Sequence, residues 1–152
     1  MGKKAWFDGS QYNHNTAMTI TTSHVYISQS KILNAGRGVF AAKIFKKGDI
    51  IENCPIIDLS ENDYPHLQKT KLRNYYFMWN KTNTRSVLAL GYGMLYNHSY
   101  TPSATYVKDH KNGLVIFKAI EKINVDEEIT ANYNYGDPND TSKLWIEDIP
   151  EE

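Results

Sequence analysis

The stretch Leu88-Ala-Leu-Gly-Tyr-Gly-Met-Leu-Tyr-Asn-His-Ser-Tyr-Thr-Pro-Ser-Ala-Thr-Tyr106 is the most informative part of this 152-residue sequence. Its Asn97-His98-Ser99 segment is bounded by glycines and a proline and is rich in aromatic residues. Polar side chains in irregular segments of this kind satisfy backbone groups that no strand pairing satisfies. Taken alone, His98 is therefore more typical of a buried, hydrogen-bonded histidine than of a ligand.

Two further segments stand on either side of this stretch. In the segment from Asn34 to Ala42, Gly36 and Gly38 bracket Arg37, and closely spaced glycines allow a tight turn and the close approach of a ligand. A plain turn into a strand is the simpler interpretation of this short motif.

In the segment Asp126-Glu-Glu-Ile-Thr-Ala-Asn-Tyr-Asn-Tyr-Gly136, the pair Glu127-Glu128 is typical of a solvated turn. A strand after this turn would place Tyr133, Tyr135 and Ala131 on one face, because side chains alternate along a strand.

The rest of the chain predicts a mainly β protein. Asn112-Gly113 is a strong hairpin signal, Ser60 to Asp63 has the character of a helix start, and Lys69–Trp79 is apolar enough for a helix or a buried strand. Pattern alone suggests a barrel or a sandwich. The expected strands are Val25–Ser28, Gly38–Phe45, Asp49–Asp58, Val87–Leu90, Ala104–Asp109, Leu114–Ile120 and Ile129–Tyr135.

Length and composition exclude several classes of protein. A chain of this length forms one domain with a real core. The 17 basic and 17 acidic residues cancel, which disfavours direct nucleic-acid binding, and no apolar run is long enough to span a membrane. The single cysteine, Cys54, excludes a disulfide framework and a thiolate zinc site, and the histidines lack metal-ligand spacing. We expect an intracellular protein, cytoplasmic or nuclear, or one acting in a host cell if it is a viral or bacterial effector.

The order of the motifs is more specific than any one of them. Together they resemble the motif series of SET-domain protein-lysine N-methyltransferases of the minimal, single-domain type, over roughly Val25 to Gly136. The series is Gly36-Arg-Gly-Val-Phe, Tyr75-Tyr-Phe, Gly91-Tyr-Gly with Asn97-His-Ser-x-x-Pro, and Asp126-Glu-Glu-Ile-Thr-x-x-Tyr.

The resemblance implies a fold and a domain plan. It implies a mainly β SET-domain β-clip, made of small curled sheets with a C-terminal pseudoknot and few short helices. Residues 1–23 would form an irregular N-terminal arm, 24–136 the SET domain, and 137–152 a flanking segment that closes the site.

The resemblance also implies site residues. Tyr133 and Tyr106 would be catalytic, and Tyr106, Ala131 and Tyr135 would line the substrate channel. No metal is implied. The cofactor would be S-adenosylmethionine, which becomes S-adenosylhomocysteine. The implied cofactor-binding residues are Gly36, Arg37, Gly38, Tyr75, Leu95, Asn97, His98, Tyr133 and Trp145.

Tyrosines suit the chemistry that this resemblance implies. Methyl transfer is an in-line displacement by a neutral amine on a sulfonium, so the site must align two groups and exclude water. A neutral phenol can hold the amine without competing as a nucleophile. The positive charge of the cofactor lowers the pKa of an approaching ammonium.

Four features depart from the family pattern. Ser103 stands where many relatives have Asn, and Asn53-Cys54-Pro55 lacks a tyrosine that helps to form the channel in many relatives. Ala131 occupies the position where a larger aromatic often limits the number of methyl groups added. No cysteine-rich zinc segment follows the motifs, so Trp145 and its neighbours would close the site.

The implied function is transfer of a methyl group from S-adenosylmethionine to a lysine side chain of a protein or peptide, with histones as one candidate substrate. The alternative is a catalytically weak SET-like module that binds a peptide or partner. A third reading is a small-molecule β-clip protein whose tyrosines only pack. No membrane partner is expected, and both a monomer and a homodimer are compatible with the sequence.

Overall fold

The computed structural model describes residues 24–80, 85–144 and 146. The expected N-terminal arm, 1–23, and Trp145 lie outside the described residues. Within them the chain is mainly β, as the sequence predicts. The strands are β1 Val25–Gln29, β2 Arg37–Ala41, β3 Ile50–Leu59, β4 Phe77–Met78, β5 Ser86–Ala89, β6 Asn97–His98, β7 Ala104–Asp109, β8 Leu114–Ala119 and β9 Glu128–Ala131.

Strands β1 and β2 form an antiparallel hairpin that begins the sheet. Val25 lies opposite Ala41, and Gln29 lies opposite Arg37. The connection between them contains Asn34 and Gly36, whose φ angles are 64° and 74°. Glycine, and less often asparagine, tolerates this left-handed conformation. The Asn34-Ala-Gly36 sequence thus turns the chain and delivers Arg37 to the start of β2.

The central part of the structure is an antiparallel three-strand unit of β7, β8 and β3. The hairpin at Asn112-Gly113 joins β7 to β8, with Asp109 opposite Leu114, which confirms the predicted hairpin. Strand β3 pairs with the other edge of β8 and carries a register shift between Ile50 and Glu52. On its far part, β3 also pairs with β5, so it connects two portions of the sheet.

Strand β9 joins distant segments of the chain. It pairs antiparallel with β2 and parallel with β6, where Asn97 lies opposite Thr130 and His98 opposite Ala131. It also meets β7 where Ala131 lies opposite Ala104. The sheet order is β1-β2-β9-β7-β8-β3-β5-β4, with β6 added beside β9. The C-terminal strand therefore lies beside the Asn-His segment.

The segment between β3 and β5 contains both helix and strand, the two alternatives that the sequence left open for Lys69–Trp79. Helix α1 spans Tyr64–Leu67, a 3₁₀ helix spans Lys71–Asn74, and β4 follows. Before α1, the Asp63 carboxylate accepts hydrogen bonds from the backbone N–H and hydroxyl of Ser60. This turn explains the helix-start signal at Ser60.

Buried apolar side chains form the core beside β2 and β9. Phe45, Ile123, Val39 and Ile129 are fully buried. Phe45 and Ile123 also pair through their backbones outside the named strands. Burying each such side chain contributes about 1.5–3 kcal/mol.

Two predicted strands are shorter than expected. The strand expected over Gly38–Phe45 ends at Ala41. The strand expected over Ile129–Tyr135 ends at Ala131, so the prediction that Tyr133 and Tyr135 share a strand face is wrong. The reason is a turn: the Asn132 side-chain oxygen accepts from the N–H of Asn134, and Tyr135 has a φ of 55°.

No helix in the described part of the chain is long and apolar enough to cross a membrane.

Replacing the buried Phe45 by alanine removes a side chain from the centre of this packing. We expect Phe45→Ala to lower the free energy of unfolding by about 3–5 kcal/mol, because the neighbours refill the cavity only in part. Chemical denaturation measures this loss. Ile44→Ala is the matched control, since Ile44 is 53% exposed and should change the free energy by about 0.5 kcal/mol or less. Equal losses in the two variants would contradict the assigned core.

Candidate functional site

The glycine turn Gly36-Arg37-Gly38 lies at the junction of β1 and β2. The N–H of Ser30 donates to the carbonyl of Gly36 at 2.9 Å and closes the turn. A Cβ added to Gly36 would meet no heavy atom within 4 Å, whereas one added to Gly38 would lie 2.1 Å from Glu128 Oε1. Gly36 therefore borders open space, and Gly38 allows a carboxylate to approach the backbone closely.

The Glu128 carboxylate fastens this turn to β9. It accepts hydrogen bonds from the Ser30 hydroxyl at 2.7 Å and from the Lys31 N–H at 2.7 Å. It also accepts from the Asn97 side-chain amide at 2.9 Å. Glu128 is half-buried, so the interpretation of Glu127-Glu128 as a solvated turn is wrong for this residue. Glu127 is exposed and bonds Asn124 within its own turn.

The Asn97 side chain connects β6 to the glycine turn. Its amide nitrogen lies 3.1 Å from the carbonyl oxygen of Arg37 and 2.9 Å from Glu128 Oε1. The Ser30 hydroxyl is also within 3.2 Å. Because the amide serves as a donor to protein atoms, Asn97 fixes the position of Arg37 relative to β9.

His98 and Tyr133 are held together at the end of β9. The N–H of Tyr133 donates to His98 Nδ1 at 3.1 Å, so this imidazole nitrogen is the acceptor. The Tyr133 hydroxyl donates to the carbonyl oxygen of Tyr96 at 2.7 Å. The His98 ring also makes an edge contact with Tyr100, with ring centroids 4.5 Å apart. Both ends of Tyr133 are therefore fixed.

A cavity of about 380 Å³ opens beside the glycine turn, and we name it the glycine-turn cavity. Seven of the nine residues that the sequence assigned to cofactor binding line it, whereas Gly38 lies behind the turn and Trp145 lies outside the described residues. The seven are Gly36, Arg37, Tyr75, Leu95, Asn97, His98 and Tyr133.

A second, smaller cavity of about 130 Å³ is also lined by Tyr133, and we name it the tyrosine cavity. Every residue that the sequence assigned to catalysis or to the substrate channel lines it, namely Tyr106, Ala131, Tyr133 and Tyr135. Aromatic rings form much of its wall. The ring of Phe77 meets the ring of Tyr106 edge-on at 5.1 Å, and Tyr96 stacks on Phe117 at 4.1 Å.

The two cavities share a wall. Tyr133, Tyr75, Asn74, Met94 and Ile146 line both of them. Tyr133 therefore stands where a group in one cavity would meet a group in the other.

The glycines of Gly91-Tyr-Gly93 make room for β3 behind the tyrosine cavity. A Cβ on Gly91 would lie 2.2 Å from Glu52 Oε1, and one on Gly93 would lie 2.9 Å from Cys54 Sγ. Glu52 also accepts from the N–H of Tyr92 and from the hydroxyl of Tyr96, both at 2.9 Å. The Glu52 carboxylate thus connects the Gly91–Gly93 turn to Tyr96, which lines the tyrosine cavity.

Burial keeps the tyrosine hydroxyls and the cysteine thiol of this region neutral. Burial raises the pKa of the Tyr133, Tyr106 and Tyr96 hydroxyls above their usual value. Burial, with the nearby Glu52 carboxylate, likewise raises the pKa of the Cys54 thiol. The tyrosines are therefore hydroxyl donors at neutral pH, and Cys54 is not a thiolate nucleophile.

Among the residues that the structure describes, no group of three or more His, Cys, Asp or Glu side chains could hold a metal ion.

Comparison with known proteins identifies the family. The family model described as SET domain matches residues 36–134, which is most of the described chain. The chain belongs to the SET-domain family. A histone-lysine N-methyltransferase of Schizosaccharomyces pombe, specific for lysine 37 of H3, is 33% identical to this SET domain over 114 residues, covering 74% of this chain and 71% of the relative. The protein is an S-adenosylmethionine-dependent protein-lysine methyltransferase.

Solved structures agree with this assignment. The crystal structure of a Plasmodium falciparum protein assigned as a histone methyltransferase matches the SET domain with a TM-score of 0.61 and 31% identity, covering 76% of this chain and 96% of the other. A humanized mutant of the Chaetomium thermophilum Polycomb Repressive Complex 2 matches with a TM-score of 0.67 and 17% identity, over 76% of this chain and 16% of the other. The second match shows the fold alone.

The glycine-turn cavity of this SET domain fits S-adenosylmethionine. Its volume falls within the range of about 300–1,000 Å³ that is common for ligand pockets. It offers the Arg37 cation for a carboxylate, the side-chain oxygen of Asn97 for an ammonium, and the Tyr75 ring for a flat heterocycle. Gly36 adds open space where a side chain would intrude. These groups match the charged amino-acid end and the adenine end of the cofactor.

Sequence reasoning missed several residues of the site. Glu128 and Glu52 fasten the two glycine turns, but nothing in their local sequence distinguishes them from surface carboxylates. Lys108 and Phe117 line the tyrosine cavity. The alternation of β7 could have identified Lys108, because it lies two residues after Tyr106 and so on the same face.

The contacts of Glu128 lead to a prediction about cofactor binding. We expect Glu128→Gln to weaken the binding of S-adenosylhomocysteine about tenfold, because an amide cannot accept from Ser30, Lys31 and Asn97 at once and the glycine turn loosens. Titration calorimetry measures this affinity. Glu127→Gln is the matched control, since Glu127 is exposed and should leave the affinity unchanged. Unaltered binding by Glu128→Gln would contradict the role given to this carboxylate.

Proposed function

We propose that the protein transfers a methyl group from S-adenosylmethionine, bound in the glycine-turn cavity, to a protein lysine that enters through the tyrosine cavity. The observation that carries this proposal is that Tyr133 lines both cavities. Reactants that approach from opposite sides of one wall are arranged for an in-line displacement, which requires the amine, the methyl carbon and the sulfur to be collinear.

The residues of the glycine-turn cavity would divide the binding of the cofactor among them. Arg37 would hold the carboxylate, and Asn97 and His98 would position the amino-acid end from β6. Tyr75 and Leu95 would contact the apolar and aromatic parts, with Trp145 as a further candidate. When bound, the cofactor supplies a methyl group on a positively charged sulfur.

Tyr133 would orient the target amine without reacting itself. Its hydroxyl is fixed on the carbonyl oxygen of Tyr96, and burial keeps it protonated. Tyr106 would form the opposite wall and exclude water from the amine. The lysine must arrive neutral or lose its proton on the way in, because an ammonium has no lone pair to attack the methyl carbon.

The tyrosine that is absent at Asn53-Cys54-Pro55 has no replacement in the same strand. Asn53 is exposed and Cys54 is buried behind Gly93, so neither supplies a channel hydroxyl. Tyr96 contributes an aromatic ring to the cavity wall, stacked on Phe117, while its hydroxyl donates to Glu52. Ala131 adds little bulk to this cavity, and mass spectrometry of the product would show how many methyl groups it accepts.

Histones are the first substrates to test, since the S. pombe relative is a histone H3 methyltransferase. A histone substrate would place the protein in the nucleus. The substrate class that the geometry supports is a flexible protein segment with one lysine that can reach the tyrosine cavity.

Removing the Tyr133 hydroxyl tests the proposed function. We expect Tyr133→Phe to lower kcat for methylation of histones or lysate proteins by about 10²-fold or more, because the amine loses its orientation. Transfer of radiolabelled methyl from S-adenosylmethionine measures this rate. Tyr26→Phe is the matched control. The Tyr26 hydroxyl donates to Asp126, and Tyr26 is not among the described residues that line either cavity.

The same assay separates the enzyme from a binding module. Cofactor binding by calorimetry without any labelling of protein would favour the catalytically weak peptide-binding alternative. Labelling that does not change in Tyr133→Phe would contradict the assignment of Tyr133.

The pH dependence of the rate follows from the raised tyrosine pKa values. A raised pKa means that Tyr133 and Tyr106 stay protonated beyond the ordinary tyrosine value of 10.0. We therefore expect kcat/KM to rise from about pH 7 to about pH 10, as more of the target lysine, with an ordinary pKa of about 10.4, becomes neutral. A steady-state pH profile checks this. A fall in kcat/KM between about pH 9 and pH 10 in a protein that remains folded would contradict it.

A further inference from the structure

Lys108 is the one charged side chain among the described residues that line the tyrosine cavity. It lies on β7, where Ala104, Tyr106 and Lys108 share a face because side chains alternate along a strand. Ala104 is fully buried, Tyr106 is 8% exposed, and Lys108 is half-buried. Solvent exposure therefore increases along this face from Ala104 to Lys108, which places Lys108 at the mouth of the cavity.

The Lys108 side chain is held in place at this mouth. Its Nζ lies 5.5 Å from the centroid of the Tyr135 ring, a distance at which a cation is attracted to the face of an aromatic ring. Tyr135 is 60% exposed, which places the contact at the rim. Partial burial lowers the pKa of the Lys108 ammonium, which indicates that solvent does not fully surround this charge.

A fixed cation at an entrance discriminates between the residues that pass close to it. One step of two residues along β7 separates Lys108 from Tyr106, which is about 7 Å. A residue next to a lysine seated beside Tyr106 would therefore come near the Lys108 ammonium. At such distances, with an effective dielectric between those of protein and water, one charge pair changes an equilibrium several-fold.

We propose that Lys108 is a specificity-determining residue, which selects target lysines whose neighbour at the cavity mouth is acidic or uncharged and disfavours those with Lys or Arg there. The proposal rests on the proposed function, in which the target lysine enters the tyrosine cavity. The substrate segment of this enzyme would therefore have an acidic or uncharged residue at the position that lies beside Lys108.

A peptide array tests this selection. Each peptide carries one lysine in a Gly, Ser and Ala background, with Glu, Gln or Arg at one position within three residues of the lysine. The full chain methylates the array with radiolabelled S-adenosylmethionine. We expect kcat/KM to be about tenfold higher for Glu than for Arg at one or two positions, and to show no such preference elsewhere.

Substitutions of Lys108 should change that ratio in a defined order. Lys108→Arg should keep the preference for Glu, Lys108→Met should abolish it while retaining the apolar stem, and Lys108→Glu should reverse it. Lys111→Glu is the matched control, since it makes the same charge change in the exposed turn of the same hairpin and should leave the ratio as in the unsubstituted chain.

A Glu-to-Arg ratio that is the same in the unsubstituted chain and in every Lys108 variant would overturn the proposal. So would an equal loss of labelling for all peptides, because that pattern marks a merely structural role. Total labelling and its loss in Tyr133→Phe report on the proposed function, whereas the ratio reports on Lys108, so the two can fail separately.

Discussion

The short parallel pairing of β6 with β9 is the constraint on which the site depends. It aligns Asn97 with Thr130 and His98 with Ala131, and so brings two segments that are about thirty residues apart in the chain into one place. In this position, the Asn97 side-chain amide donates to the carbonyl oxygen of Arg37, and His98 accepts a hydrogen bond from the N–H of Tyr133. Residues of the glycine-turn cavity and of the tyrosine cavity are therefore positioned by the same two-residue pairing, and a shift in its register would displace both.

Two carboxylates support this arrangement from behind. Glu128 lies beside Gly38 and accepts hydrogen bonds from Ser30, Lys31 and Asn97. Glu52 lies beside Gly91 and accepts hydrogen bonds from Tyr92 and Tyr96. In both places a Cβ on the glycine would collide with the carboxylate. The glycines thus allow the close approach of a protein side chain as well as the turn, and each carboxylate fixes a loop beside a cavity.

The sequence predicts seven of the nine strands that the structure describes, all but β4 and β6, and most of its predicted site residues line the two cavities. Alternating β-branched runs and Asn112-Gly113 predict local structure, because these signals act between neighbours in the chain. The predicted site residues converge because four motifs occur in the order of a known family. The turn at Asn132–Gly136 was missed, since an Asn side chain that captures the backbone has the same local sequence as a strand. Glu128 was missed because its partners are about thirty or one hundred residues away in the chain.

The central claim is that two ligands reach Tyr133 from opposite sides. Nuclear magnetic resonance of the ¹⁵N-labelled chain, titrated with S-adenosylhomocysteine and with a peptide that the enzyme methylates, tests it most directly. The account predicts that S-adenosylhomocysteine shifts the amide signals of Gly36–Gly38 and Asn97–His98, that the peptide shifts those of Tyr106–Lys108, and that both ligands bind together and shift Tyr133. Mutually exclusive binding, or shifts of one common set of amides by both ligands, would contradict it.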